Sequence, residues 1–147
     1  MITNEQIHIV LKEVEEELLT SKKIKFDFDC KWSSKFPNKA GVYAIFNIND
    51  LVYIGETANL KERMKEVKRT YNHSFRRKLG KHLFKDAKTV KGKFSLEIET
   101  YLNDYFLSNI FFSYKELNFG RLEVESYLIH NNKGLLNSKG KRNKVKT

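Results

Sequence analysis

Gly41-Val42-Tyr43-Ala44-Ile45-Phe46-Asn47-Ile48-Asn49-Asp50-Leu51-Val52-Tyr53-Ile54-Gly55 holds two runs of strand-forming residues, Gly41 to Ile48 and Leu51 to Gly55, parted by the turn residues Asn49-Asp50. Strands this close in sequence predict an antiparallel β-hairpin. Tyr43 and Tyr53 then lie on neighbouring strands. Aligned tyrosines can share one face of a sheet, where their hydroxyls can bond water or phosphate. Tyrosine pairs also fill ordinary sheets, so the hairpin alone speaks to fold rather than to chemistry.

Upstream of it, Thr3-Asn4-Glu5-Gln6 has the form of a capping box, and Ile7, Val10, Leu11, Val14, Leu18 and Leu19 recur at helical spacing to about residue 20. Glu5, Glu13 and Glu16 occupy the other face, which suits packing rather than a phosphate backbone. Residues 21–40 read as a connection with a short strand from Ile24 to Phe28. Downstream, Asn59 with Glu62 marks a helix start, with Leu60, Met64, Val67 and Tyr71 as its apolar stripe and Arg63 at the edge. A second helix is expected from Ser74 to Asp86. Phe94 to Tyr101 and Ile110 to Leu117 alternate apolar and polar residues and so predict strands, and Leu122 to Asn131 predicts a helix. The expected fold is α/β of the α+β kind, a small, mainly antiparallel three-stranded sheet flanked by helices. One domain is expected over residues 1–137, followed by a basic, disordered tail over 138–147.

With 147 residues the chain can bury one core, and 11 Phe and 7 Tyr supply its bulk. The lone Cys30 excludes an internal disulfide, and no Cys/His group has zinc-ligand spacing. The first residues carry neither a basic n-region nor an apolar h-region, and no apolar run reaches membrane-spanning length. A cytoplasmic protein without a membrane partner is the expectation. The formal net charge of +10 favours a polyanionic partner, because each Lys or Arg on a phosphate releases condensed counterions. Charge alone does not separate DNA from RNA or from an acidic membrane surface.

The helix around residue 125 carries the clearest chemical signal. At 100° per residue, Leu122, Val124, Leu128 and Ile129 form one apolar arc with Glu125 in its middle, while Glu123 projects to the polar side. A carboxylate among core-facing residues must be neutralised, paired or bound to a cation. A structural ion pair and a metal ligand both satisfy that requirement.

Together these residues resemble the GIY-YIG nuclease superfamily, as a stand-alone catalytic domain. Gly41-Val42-Tyr43 is similar to the first triplet of the family and Tyr53-Ile54-Gly55 to the second, with nine residues between them. Glu56-Thr57-Ala58-Asn59-Leu60-Lys61-Glu62-Arg63 resembles the stretch leading to the catalytic arginine, which falls on Arg63. Leu122 to Ile129 resembles the metal-binding helix, with Glu125 at the metal position, and Asn137 matches the closing asparagine. The similarity covers Gly41 to Asn137. The chain departs from the pattern at Glu56, where the family often has Lys, at Val67, where Tyr or His is frequent, and at Gly134, where proline is usual.

The resemblance implies a metal-dependent endonuclease that hydrolyses DNA phosphodiesters with one divalent ion, Mg²⁺ or Mn²⁺, held by Glu125. It assigns transition-state charge stabilisation to Arg63, and general-base or water-orienting work to Tyr43, assisted by Tyr53; His73, close behind Arg63, reads either as a further assistant or as a helix-start or surface histidine. Arg76, Arg77, Lys81 and Asn137 are the expected nucleic-acid contacts, with phosphate holding falling to the basic side chains. Glu56 and Val67 support the competing reading, a non-catalytic nucleic-acid-binding module that retains the fold. RNA stays open as a partner, and oligomeric state is not encoded legibly.

Overall fold

The computed structural model describes residues 2–139. Helix α1 (Asn4–Thr20) begins with the anticipated capping box, Thr3 Oγ1 accepting from Gln6 N and Gln6 Oε1 from Thr3 N. Strand β1 is only Ile24–Lys25, and a 3₁₀ turn at Trp32–Lys35 follows. The hairpin is β2 (Gly41–Asn47) and β3 (Asp50–Thr57), and its turn is Ile48-Asn49, one residue earlier than the turn propensities of Asn49-Asp50 suggest. Helices α2 (Leu60–Glu66) and α3 (Ser74–Leu83) come next, then α4 (Leu96–Asn109), β4 (Ile110–Glu116), α5 (Arg121–Asn131) and α6 (Leu136–Lys139).

The sheet has order β1-β4-β2-β3 and every pairing is antiparallel, so it holds four strands rather than the three expected. The fourth is the short β1, which lies along β4 for two residues. β3 is the opposite edge. Gly55, Tyr43 and Tyr114 form one cross-strand row, which puts Tyr43 on the central β2 with only β3 between it and that edge.

Side chains alternate between two cores. One face buries Tyr43, Ile45, Tyr53 and Phe112 against Trp32, Phe36 and the apolar residues of α2, α3 and α4. The other buries Val42, Ala44, Phe46 and Ile54 against α1 and α5 through Val14, Leu18, Val124 and Leu128. This face takes up only the C-terminal half of the α1 stripe, since Ile7 and Val10 are exposed.

Three expectations fail. Phe94 to Tyr101 is not a strand, because Ser95 caps a helix by accepting from Ile98 N, and Glu97 and Glu99 lie in the favourable first turn. The alternation there is accidental. Leu96 and Tyr101 are exposed, and the burial that holds α4 comes from Leu102 and Phe106, four residues apart. The stripe of α2 stops at Val67, leaving Tyr71 exposed. Leu122 is exposed as well, since only Val124 and Leu128 of its arc reach the core fully. The basic tail lies outside the described residues beyond Lys139, and α6 already begins at Leu136, inside the anticipated boundary.

Candidate active site

The central feature of the site is the path of the Tyr43 side chain. A Cβ on Gly55 would fall within the Tyr43 ring and against its hydroxyl, so the ring lies flat over the neighbouring backbone. Only glycine permits that approach. The phenol therefore leaves β2, crosses β3 and is directed toward the open edge of the sheet.

Tyr53, two residues before Gly55 on β3, faces the same side, and its ring stacks near Tyr43 with centroids 6.4 Å apart. The two tyrosines share one face, as the hairpin spacing anticipates. Ser74, the first residue of α3, bonds the Tyr53 hydroxyl at 2.7 Å. No sequence signal marks Ser74, because a serine at a helix start usually reads as a cap.

The cap is instead His73. Its Nδ1 accepts from Phe75 N at 3.0 Å, and its Nε2 lies 2.8 Å from the Tyr43 hydroxyl. Burial, with Arg63 and Arg77 adding repulsion, drops the imidazole pKa to about 3. The ring is therefore neutral at ordinary pH. With Nδ1 occupied as an acceptor, the single proton belongs on Nε2, which donates to Tyr43 Oη. Val67 is wholly buried, and His73, ten residues beyond Arg63, lies beside Tyr43.

Burial raises the Tyr43 phenol well above the usual tyrosine range; Tyr53 and Glu125 push the same way, and Arg63 opposes them. Tyr53 is likewise raised, chiefly by burial, with Ser74, Arg63 and Arg77 opposing and Glu125 adding to the shift. Glu125 thus acts electrostatically on both tyrosines although α5 packs on the opposite face. Glu125 itself is half-buried.

Arg63, from α2, donates through Nη1 to Glu66 at 2.8 Å and to the Asn72 carbonyl at 3.3 Å, which ties α2 to the loop that carries His73. Arg77 Nη1 donates to the Thr70 carbonyl at 2.8 Å and acts on both Tyr53 and His73. Two guanidinium groups consequently border the same edge. Lys81 is exposed one turn further along α3.

Two expected nucleic-acid contacts are corrected. Arg76 is 2% exposed and turns Nε and Nη2 inward, onto Glu99 at 2.8 Å, Thr70 Oγ1 and Asn103 Oδ1, while its buried Nη1 has no partner among the described residues. It cannot reach a phosphate without unpacking α3 from α4. Asn137 is also buried: its Nδ2 donates to Ile54 O at 2.6 Å and its Oδ1 accepts from Ile54 N at 2.9 Å. That residue holds β3 rather than a substrate.

Among the described residues, no three His, Cys, Asp or Glu side chains group into a ready-made metal cage. A closed zinc-type site is therefore absent from them. The donor set does fit Mg²⁺ or Mn²⁺, hard cations that one carboxylate can hold when waters and a substrate phosphate complete the shell. Glu125 is the carboxylate whose charge acts on both tyrosines. No helix among the described residues is long and apolar enough to cross a membrane.

On this α+β sheet, two tyrosines, a histidine and two arginines gather at one edge. The family model for the GIY-YIG catalytic domain matches residues 31–147, and the chain belongs to that family. No curated protein and no solved structure matches it. The family is one of nucleases, so a nucleic-acid substrate follows at that level.

Proposed function

We propose that the protein is a divalent-metal-dependent endonuclease acting on DNA phosphodiester bonds. The observation that carries this reading is the convergence on one sheet edge of Tyr43, Tyr53 and His73 from one face and Glu125 from the other, bordered by Arg63 and Arg77.

Glu125 would hold the cation, which when bound supplies Lewis-acid stabilisation of phosphoryl charge. Arg63 and Arg77 present planar donors to the same phosphate, a task for which guanidinium suits better than ammonium. Tyr43 is the group nearest to base chemistry. As a neutral phenol it can only orient the attacking water; it can take the water's proton only as phenolate. Burial opposes ionisation, whereas the His73 Nε2–H and the Arg63 charge favour it. His73 therefore serves Tyr43 as a donor and not as the base. Tyr53, fixed by Ser74, stacks beside Tyr43. Lys81 and the basic residues past Lys139 suit backbone contacts, which position the duplex without reading its sequence.

The raised phenol and the exchange of Lys for Glu at position 56 favour the second reading, a module that binds nucleic acid and does not cut. Nicking of supercoiled plasmid by the purified protein in Mg²⁺ or Mn²⁺ separates the two. Glu125→Gln keeps shape and removes charge, so cleavage should fall by about 10²-fold or more while melting stays near the parent's. Glu123→Gln should change little. A parent without nicking activity in either metal, or a folded Glu125→Gln protein that cuts at the parent rate, overturns the proposal.

A further inference from the structure

Apart from Glu123 in its first turn, its own sequence gives helix α5 little help at its start. Its N-cap is Gly120, in the left-handed region at φ 78°, with no side chain to accept from the first free N–H groups. Its first residue, Arg121, sets a positive charge at the positive end of the helix dipole. Packing does not compensate. Phe119 is 86% and Leu122 65% exposed, and nothing lies near Gly120; the first fully packed residue of the helix is Val124.

An ion pair ties this turn to the sheet. Arg121 Nη1 donates to Glu56 Oε1 at 3.0 Å, with both side chains about three-quarters buried. Glu56 directly follows Gly55, the residue over which Tyr43 lies. Glu125 stands four residues after Arg121, one turn along the same helix face and within side-chain reach of it.

We propose that Arg121 is a positioning residue for Glu125, and that Glu56 is its anchor on β3. The pair fixes the height of the α5 first turn against the edge strand, and with it the place of the carboxylate. This inference rests on Glu125 being the cation's carboxylate.

Mn²⁺ binding to the full chain without DNA, followed by the electron paramagnetic resonance signal of free Mn²⁺, tests it apart from cleavage. Partners behind a metal ligand typically set affinity by 10–100-fold, so Arg121→Ala and Glu56→Gln should each weaken Mn²⁺ binding by about tenfold. Arg121→Lys, which keeps the charge, should stay within about twofold of the parent on the same scale. Far-ultraviolet melts confirm folding; should Arg121→Ala be unfolded, the near-isosteric Glu56→Gln carries the test. Parent-like Mn²⁺ affinity in Arg121→Ala or Glu56→Gln, beside a loss in Glu125→Gln, overturns this inference and leaves the Glu125 reading intact. Binding unaffected by Glu125→Gln overturns both.

Discussion

His73 accepts at one ring nitrogen and donates at the other, both inside the protein, and that double use fixes how the chain should respond to acid. Its folded pKa, about 3, lies below the unfolded value near 6.5. Above 6.5 the ring is neutral in both states and contributes no pH dependence. As pH falls from 6.5 toward 3, the unfolded chain takes up a proton that the folded chain refuses, and stability is lost progressively. The whole effect amounts to a few kcal/mol, of which only part is reached before carboxylates begin to titrate. His73→Asn preserves a good N-cap and removes the titration. Urea melts between pH 6.5 and 5 should show the parent's decline flattened in this variant, and an undiminished slope would reject the buried neutral imidazole. The shared face of Tyr43 and Tyr53 is legible because the hairpin encodes it locally. His73 was only half legible: its closeness to Arg63 in sequence showed, whereas its contact with Tyr43 depends on a 30-residue closure.

At the scale of elements, the Arg76–Glu99 pair binds α3 to α4 and so supports the loop from which His73 is presented. Glu99 also accepts from Thr70 and from Phe94 N, so one carboxylate joins that loop to both helices. Glu99→Ala leaves a guanidinium buried without its counter-charge and should cost about 3–5 kcal/mol. Arg76→Met fills the space without a charge and should cost less. Guanidinium-chloride denaturation that ranks the two in reverse would remove the network from this supporting role. The pair also explains why Arg76 misleads in sequence. Arg76, Arg77, Lys78 and Lys81 look alike as a basic run on a helix, and only the position of α4 decides which one turns inward. Because Phe94 to Tyr101 reads as a strand, α4 and its Glu99 are hidden, and the inward turn of Arg76 is hidden with them. Capping signals such as Thr3, Asn59 and Ser95 mark helix starts dependably; apolar alternation over eight residues does not tell a strand from a helix whose exposed face is greasy.

Across the whole molecule, the sheet separates two cores, and the site forms where a central tyrosine and a helix from the opposite face meet around one edge. That edge must be open for a substrate yet closed to other chains. Asn137 supplies the closure: its amide offers the Ile54 backbone one donor and one acceptor, the same two groups that a paired strand would present. An unguarded edge strand is a template for self-assembly, and β3 has its outward backbone groups at Ile54 answered by a side chain instead. Asn137→Ala should therefore turn a discrete species into one whose mass grows with concentration, visible in sedimentation velocity or light scattering. A variant that sediments as the parent does at every concentration would show that the edge is guarded by other means. The same substitution leaves Tyr43, Arg63 and Glu125 in place, so an asparagine that could pass for part of the reaction would declare itself as a barrier to polymerisation.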